Sequence, residues 1–261
     1  MASRILKTIR RPTGKISAPA RTPARPDDAA RPSQLRQSNC RLLLRLLQKN
    51  DPCSKADLVR LSGLSATTVS VSVAHMTTLG LIEEIGDGES SGGRPPSLLR
   101  FNSGHGCVAA ADVGGTRLRM MLADLNGRAI AQWATRLTER QKTPRAIVAL
   151  LQTGLEEMKR QAGVTGRVMH LTVGAPGITD VEHGVVLAAP NLQGWTDIPL
   201  RALVERELKI RCTVENDVNL AAVGEHAQGQ ARGTQDYIFI ALGTGIGAGI
   251  FLRGALHHGA D

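Results

Sequence analysis

The sequence predicts an α+β unit, in which three helices precede a two-stranded sheet, joined to a larger α/β unit. Three observations support this prediction. In residues 37–82 apolar residues recur at helical spacing, and capping residues and a turn glycine separate the segments. From Gly106 onward, apolar strand-like runs alternate with helical segments. The length of 261 residues is sufficient to bury a core in each of two units.

The first unit, residues 37–102, begins with the three helices. The apolar face of the first helix consists of leucines, and Ser54 and Ser65 have the positions of N-caps for the second and third. Gly63 provides the turn between these two helices. Two strands with a glycine-rich loop between them are expected to follow. Helices, strands and loop in this order are typical of a winged helix.

In a winged helix the second helix of the helix–turn–helix enters the major groove of DNA. The expected DNA contacts are small polar or flanking side chains and the tip of the loop: Lys55, Ser65, Thr67, Thr68, Val71, Ser72, His75 and Arg94. The proposed recognition helix contains no Lys or Arg, so the affinity for DNA is expected to depend on Arg94, Lys55 and the basic N-terminal arm. A small helical bundle that binds protein, or nothing, is the alternative.

The N-terminal arm, residues 1–36, contains nine Lys and Arg residues against two Asp and accounts for most of the net charge of +9. It is rich in Arg, Pro and Ala and is expected to be disordered. A solubilising leader and an arm that adds affinity for DNA phosphates are both open interpretations. An organelle transit peptide ranks last, because repeated prolines interrupt an amphipathic helix.

Several classes of protein are excluded by composition. The longest charge-free stretch of the second half, residues 237–252, is too short and too rich in glycine to span a membrane. Six aromatic residues are too few for the stacking platforms of single-strand RNA binders. The four cysteines lack a Cys-x-x-Cys spacing, so neither disulfides nor a metal site are expected, and the protein is expected to be cytoplasmic.

The second unit, residues 106–261, alternates strands with helices. An Asn-Gly turn predicts a hairpin early in this unit, and Thr143 and Pro144 have the positions of cap and first residue of a helix. The expected strands are 107–113, 118–122, 128–135, 168–173, 211–214, 237–242 and 247–252, and the expected helices are 144–158, 199–208 and 218–228.

Two glycine-rich loops, each between apolar strands, lie about 130 residues apart in this unit. Glycines let backbone N–H groups approach a phosphate, and an acidic residue can hold the hydrated Mg²⁺ that accompanies ATP. The candidate phosphate-binding residues are Asp112, Gly114, Gly115, Thr116, Gly243, Thr244 and Gly245. Two such loops are the means by which actin-like kinases hold a nucleotide. Tight turning alone is the alternative role of these glycines.

Asp217 stands between the loops, where a strand changes to a helix. An aspartate at this junction is suited to accept the proton of a substrate hydroxyl during phosphoryl transfer. A helix N-cap is the alternative, and the two flanking phosphate loops favour the catalytic base.

These segments together resemble the ROK family of sugar kinases and transcriptional repressors. The matching pieces are GGRPPSLLRFN, ADVGGTRLR, GAPGITD, VVLAAPNLQGW, VENDVNLAAVGE and LGTGIGAGIFLRGALHHGAD. The resemblance implies an actin-like fold and sugar contacts from Asn191, Asn216 and Asp217, with Asp217 as base in the kinases. ATP with Mg²⁺ is compatible with the retained Asp-x-Gly-Gly-Thr loop, although no cofactor is expected to be required.

The family pattern continues beyond residue 261 with a Glu-x-Gly-His segment, a cysteine-rich zinc motif and the adenosine pocket. The expectation is therefore a truncated second lobe, with no zinc site, no useful kinase activity, and His257 and His258 as exposed loop residues.

The expected function is transcriptional regulation, in the form of repression, of genes for carbohydrate uptake or metabolism. The expected partners are a double-stranded operator and a sugar or sugar phosphate effector, and the expected assembly is a homodimer. An ATP-dependent sugar kinase is the alternative, and the winged helix argues against it. A DNA binder without an effector, whose second unit only mediates dimerisation, is a third hypothesis.

Overall fold

The computed structural model describes residues 32–87, 97–243 and 245–258 of the chain. The first unit contains three helices and a three-stranded antiparallel sheet with strand order β1-β3-β2. Its elements are α1 (Pro32–Lys49), β1 (Cys53–Ser54), α2 (Lys55–Ser62), α3 (Ala66–Thr78), β2 (Ile82–Asp87) and β3 (Ser97–Phe101). The three helices and the two expected strands are thereby confirmed.

The predicted caps define the helix–turn–helix. Ser54 and Asp57 form a reciprocal capping box, in which the Ser54 hydroxyl accepts from the Asp57 amide and the Asp57 carboxylate accepts from the Ser54 amide. Gly63 adopts a left-handed φ of 69° and ends α2, and the Ser65 side chain caps α3. The core beneath these helices includes the fully buried Leu43, Leu47, Leu58 and Val69.

Two features of this unit differ from the expectation. Helix α1 begins at Pro32, so the expected boundary of the disordered arm at residue 36 lies too late. Proline fits the first position of a helix because the amide at that position has no intrahelical partner. The strand β1 was not predicted, because two residues are too short for a periodic signal, and it pairs Cys53 with Leu99. The arm up to residue 31 and the wing tip with Arg94 lie outside the described residues.

The second unit is built on a five-stranded sheet with strand order β11-β7-β4-β5-β6. Strands β4, β7 and β11 are parallel, and β5 and β6 continue the sheet as antiparallel strands. The elements of this sheet and its helices are β4 (Cys107–Val113), β5 (Arg117–Asp124), β6 (Ala129–Arg136), α4 (Pro144–Ala162), β7 (Val168–Ala175), α5 (Leu200–Leu208), β11 (Arg211–Asn216) and α6 (Asp217–Gln228).

One face of this sheet forms the main core. The apolar stripe of α4, with Ile147, Leu151, Leu155 and Met158, packs against the inward side chains of β4 and β5. Alternating burial along β5, where Leu118, Met120 and Leu122 point inward, matches the predicted strand pattern.

Two smaller antiparallel sheets complete the unit. The first has strand order β10-β9-β8 and the second β12-β13-β14. Their strands are β8 (Ile178–Asp180), β9 (Val185–Ala188), β10 (Thr196–Ile198), β12 (Tyr237–Leu242), β13 (Ile246–Leu252) and β14 (Ala255–His257). The four short strands β8, β9, β10 and β14 were not predicted, because three or four residues carry too little alternation to identify a strand.

Candidate functional site

The first candidate surface is the exposed face of α3. Thr67, Val71 and His75 recur every four residues along one exposed line, and Val71 is 56% exposed although it is apolar. Ser70 and Ala74 lie beside them and are also exposed. An exposed helix face with several small side chains allows close approach of a groove floor.

Ser72 is a correction. It was expected to contact DNA, but its side chain is only 2% exposed and lies among the core residues Val69, Val73 and Met76. Positions 69, 72, 73 and 76 share the inward side of α3 because they are three or four residues apart. Ser72 is therefore a small core residue and not part of the exposed face.

The other expected contacts have intramolecular partners. The hydroxyl of Ser65 accepts from the Thr68 amide at 3.1 Å, and the two hydroxyl oxygens of these residues lie 2.9 Å apart. The ammonium of Lys55 lies 3.5 Å from the carboxylate of Glu84, with both side chains about half exposed. These residues remain at the surface, next to the start of α2 and α3.

Two arginines that the sequence analysis did not single out lie near α3. A groove of about 460 Å³ between α1 and the end of α3 is lined by Arg36, Arg41 and His75. The predicted arm included Arg36, which the structure places in a helix instead. A helical-wheel projection of α1 extended to residue 32 would have placed both arginines beside the leucine face.

The second candidate site lies where the parallel strands β4, β7 and β11 end. Asp112 and Glu215 both pair in register with Gly174 of the central strand β7, so the two loops that follow their strands meet. A cavity of about 580 Å³ at this edge is lined by Asp112 and Asp217. The carboxyl ends of parallel strands are the usual place for ligands in α/β sheets.

Gly174 permits this approach. A Cβ atom at this position would lie 3.1 Å from Leu220 Cδ1, which is tighter than ordinary packing, and 3.5 Å from Asp217 Cα, which is an ordinary contact. The absence of a side chain on β7 therefore lets the first turn of α6 sit against the sheet.

Asp217 is the first residue of α6 and is half-buried. Burial raises the pKa of its carboxyl above the ordinary value, and the nearby charge of Asp112 raises it further, whereas a hydrogen bond from the Val218 amide opposes the rise. The Asp112 carboxylate in turn lies 3.3 Å from the guanidinium of Arg119. Two facing carboxyl groups with one raised pKa can take up a proton from a bound hydroxyl.

The side chain of Asn216 is the N-cap of α6. Its oxygen accepts from the amides of Val218 and Asn219, and its nitrogen donates to the Gly177 carbonyl at 2.9 Å. Asn191 is exposed, and its Cβ lies 3.6 Å from the point where a Gly115 Cβ would stand. The fold thus brings Asn191 next to the first glycine loop.

Glu215 is a buried residue beside the site that sequence reasoning missed. Glu215 is only 6% exposed. Its carboxylate accepts hydrogen bonds from the Asn216 amide at 2.8 Å and from Asn219 Nδ2 at 2.9 Å. His258 Nε2 lies 2.8 Å from the other carboxylate oxygen of Glu215. His258, expected to be an exposed loop residue, is about half exposed and connects the chain after β14 to the end of β11. An acidic residue in the last positions of a buried strand was the available signal.

The second glycine-rich loop divides into two parts. Gly243 and Gly245, predicted to bind phosphate, have open space around their Cα atoms, and the Gly243 amide donates to the Gly245 carbonyl at 2.9 Å. Gly247 and Gly249 instead pack against α6, where Cβ atoms would lie 2.6 Å from Val218 and Ala222. Thr244 lies outside the described residues.

Within residues 32–87, 97–243 and 245–258, no group of three His, Cys, Asp or Glu side chains is arranged to hold a metal ion. None of the helices in the described parts of the chain has the length and apolar character needed to cross a membrane.

Comparison with known proteins covers both units. The model of the MarR family matches residues 38–90, and the model of the ROK family matches residues 108–261. The xylose repressor of Caldicellulosiruptor bescii is 30% identical over 229 residues, which are 87% of this chain and 56% of the relative.

Two solved structures support the fold. A ROK family transcriptional regulator, a homologue of the E. coli MLC protein, superimposes with a TM-score of 0.71 at 24% identity and covers 86% of this chain and 57% of its own. The ROK family glucokinase from Streptomyces griseus, in complex with glucose and AMPPNP, has a TM-score of 0.53 at 32% identity and covers 59% and 47%. The chain spans less than two thirds of the length of each of these three proteins.

These matches confirm both the resemblance and the fold predicted from the motifs, a winged helix followed by an actin-like sugar-kinase fold. Because the ROK model covers more than half of the residues, the chain belongs to the ROK family.

Proposed function

We propose that the protein is a DNA-binding transcriptional repressor of carbohydrate genes and that a sugar or sugar phosphate acts as its effector in the cytoplasm. The observation that carries the proposal is the combination in one chain of an exposed α3 face, with Thr67, Val71 and His75, and a cavity lined by Asp112 and Asp217. The named relative that spans both units is a xylose repressor, which supports a sugar-responsive regulator.

The proposed partner of α3 is the major groove of a double-stranded operator. Hydroxyl groups and Val71 would read base edges, and the cations near α3 would contact phosphates. These cations are Lys55, Arg94, the basic arm, and Arg36 and Arg41 of α1. A homodimer on a two-fold symmetric site is proposed because one winged helix reads too few base pairs to select a genomic site.

The proposal is tested by fluorescence anisotropy with a labelled duplex from the region upstream of the protein's own gene. Val71→Asp places a charge on the exposed α3 face and is expected to abolish specific binding. Thr153→Asp, on the exposed side of α4, is the matched control and should bind like the wild type. Equal loss in both variants, or no preference over a scrambled duplex, contradicts DNA reading by α3.

Deletion of residues 1–31 tests the arm separately. Phosphate contacts release counterions, so this deletion should lower non-specific affinity and flatten the dependence on salt, with site preference retained. An unchanged salt slope in the deletion variant would exclude the arm from the interface.

Arg94→Ala should weaken operator binding by roughly 1–3 kcal/mol.

The effector is tested by adding hexoses, pentoses and their phosphates to the protein–operator complex. A sugar that fits the cavity should release the operator, and Asp217→Asn should weaken this response. Release that is unaffected by Asp217→Asn would place the effector elsewhere.

Phosphoryl transfer from ATP is the second candidate, because the raised pKa of Asp217 suits a general base. The residues fit ATP with Mg²⁺ in part. Gly243 and Gly245 leave open space, and Asp112 is half-exposed, which favours the fit. The ion pair of Asp112 with Arg119 opposes it. Asp112 would face the hydrated Mg²⁺ ion. The glycine amides and Thr116 would contact the phosphate groups, and the ion would offset the negative charge of these phosphates. Zinc has no fitting donor set among the described residues.

We propose that the cavity serves binding and not turnover, and an ADP-release assay with a panel of hexoses tests this. No ADP above the Asp217→Asn background is expected. Turnover near 1 per second, within the usual enzyme range, would favour the kinase.

A further inference from the structure

A long groove runs between the helices α4 and α5. Its first part has a volume of about 650 Å³ and is lined by residues of both helices, among them Val148 and Leu203. Its second part, of about 320 Å³, reaches the segments that lead into β7 and β11. Gln152 and Glu207 line both parts, so the two recesses adjoin. They form one surface, the α4–α5 groove, which shares no residue with the cavity lined by Asp112.

The floor of the α4–α5 groove is apolar. The side chains of its floor are buried or partly buried and belong to the main core or pack against it. They are Val148, Leu155, Val168, Leu203, Leu208 and Ile210. Ala149 lines the groove from α4 and is exposed, so its methyl group faces the open space. An occupant would gain from covering this floor with apolar side chains of its own.

The rim of the groove has an excess of positive charge. Its charged residues are the cations Arg145, Lys159, Arg167, Arg206 and Lys209 and the anions Glu156 and Glu207. Arg206 forms an ion pair with Glu207 at 2.8 Å. Within the described ranges of the chain, the other four cations have no carboxylate at ion-pair distance. The rim therefore favours an occupant with carboxylates along its edges.

The length of the groove and its walls define the shape of the occupant. A rise of about 1.5 Å per residue places Arg145 and Lys159 about 21 Å apart along α4, which is the length of about four helical turns. Along α4 and α5 the backbone groups are already bonded within the helices. An extended peptide would find few backbone partners there, whereas a helix satisfies its own backbone groups.

We infer that the α4–α5 groove binds an acidic amphipathic helix of a partner protein. The apolar side of this helix would cover the floor, and its carboxylates would face Arg145, Lys159 and Arg167. A second copy of the same groove is disfavoured, because like charges would face each other. Duplex DNA would contact the rim through its phosphates and leave the apolar floor uncovered. The inference goes beyond the proposed function, because it requires neither operator nor effector.

Three fluorescein-labelled synthetic peptides of about four helical turns test the inference with the full chain. The first consists of Glu, Ala and Leu, with leucines three and four residues apart so that they share one face. The second is a scrambled sequence of the same composition, which keeps the charge and loses the apolar face. The third keeps the leucine pattern and has Lys in place of Glu. Fluorescence anisotropy measures the three affinities.

The first peptide should bind saturably and about tenfold more tightly than the scrambled peptide, and the lysine peptide should not bind. The basic N-terminal arm attracts both acidic peptides equally, because they carry the same charge, so their difference in affinity reports the groove. Equal affinities for the two acidic peptides, or equal binding of the lysine peptide, overturn the inference.

Variants at exposed positions test the rim and the floor separately. Arg145→Glu and Arg167→Glu should each weaken binding of the first peptide about tenfold, whereas Arg128→Glu, outside the groove, is the matched control for net charge. Ala149→Trp fills the groove and should also weaken binding. Thr153→Trp, exposed on α4 but not in the groove, should bind like the wild type.

The remaining outcomes also decide. Binding that is unchanged in both Arg145→Glu and Ala149→Trp overturns the inference. Loss of operator affinity in Arg145→Glu, without a difference between the two acidic peptides, would assign these cations to DNA and would also overturn it.

Discussion

The carboxyl group of Asp217 occupies an unfavourable position for a charge. It is half-buried at the edge of the sheet, and it faces the same cavity as Asp112. Burial and the neighbouring charge both raise its pKa. A group whose pKa is raised in the folded state favours folding at low pH, and this contribution is lost as the pH rises through the folded-state pKa.

Asp217→Asn is therefore expected to stabilise the protein at pH 7, because the amide removes the charge and keeps an acceptor for the Val218 amide. The advantage should shrink as the pH falls and should be lost below the ordinary pKa of 3.8, where the wild-type carboxyl is protonated in both the folded and the unfolded state. Urea unfolding at several pH values measures it. Glu156→Gln, an exposed carboxyl on α4, is the control. A less stable Asp217→Asn protein at pH 7 would contradict this account.

At the scale of one element, the capping box fixes where α2 begins. Hydrogen bonds from Arg60 and Ser54 lower the pKa of Asp57 to about 2. A lowered pKa contributes stability that is present above the ordinary value of 3.8 and is lost as the pH falls toward about 2. The start of the helix–turn–helix therefore depends on one ionised side chain.

Ser54→Ala removes the cap and is expected to cost about 1 kcal/mol of unfolding free energy. Ser70→Ala, a matched change on the exposed side of α3, should be neutral or slightly stabilising. Chemical unfolding measures both.

Asp57→Asn should lose stability at pH 7 and approach the stability of the wild type as the pH falls toward about 2. A constant difference in unfolding free energy across this range would exclude the ionised cap.

The contact between α6 and β13 depends on glycine. Because a Cβ at Gly249 would lie 2.6 Å from Ala222 Cβ and 3.1 Å from the Val218 carbonyl oxygen, neither neighbour can move away without a shift of the helix. Gly249→Ala is expected to cost about 1–3 kcal/mol. Gly243→Ala, in open space, should change stability by less than about 0.5 kcal/mol. Thermal unfolding distinguishes them, and equal effects would refute the packing role.

At the scale of the whole molecule, two separate cores stand in one chain. One includes Leu43, Leu58 and Leu99, and the other includes Leu122 and Leu151. They meet where Gln48 of α1 donates to the Leu125 carbonyl at 3.2 Å and where Leu125 packs against the first core. The end of β5 thus connects the proposed sugar-responsive unit to α1 of the proposed DNA-binding unit.

A homodimer is expected, with a mass in solution of twice the chain mass of 27.8 kDa. The reason is the short reading length of one α3 helix, which a second copy on a two-fold symmetric site would double. Light scattering of the free protein and of its operator complex measures the mass. One protein chain per operator duplex at saturation would contradict the expectation.

Much of this molecule could be predicted where the signal is local. Ser54, Gly63 and Ser65 act within four residues, and each was assigned correctly. Ser72 was not, because its hydroxyl suggested a DNA contact, whereas its spacing of three and four residues from Val69 and Met76 puts it on the inward side of α3. The role of Glu215 was missed because its partner His258 lies 43 residues away.

The sequence by itself determined the order of the elements, the helix caps, the ROK family and the two loops that contain Gly114 and Gly243. These are properties of short segments, in which side-chain periodicity and turn chemistry act over a few residues. Only the tertiary structure decided that Gly247 and Gly249 serve packing, that Asp112 and Asp217 share a cavity, and that Arg136 at the end of β6 lies opposite Arg117 at the start of β5. The reason is physical: these relations depend on strand order and register, which bring together residues that are distant along the chain.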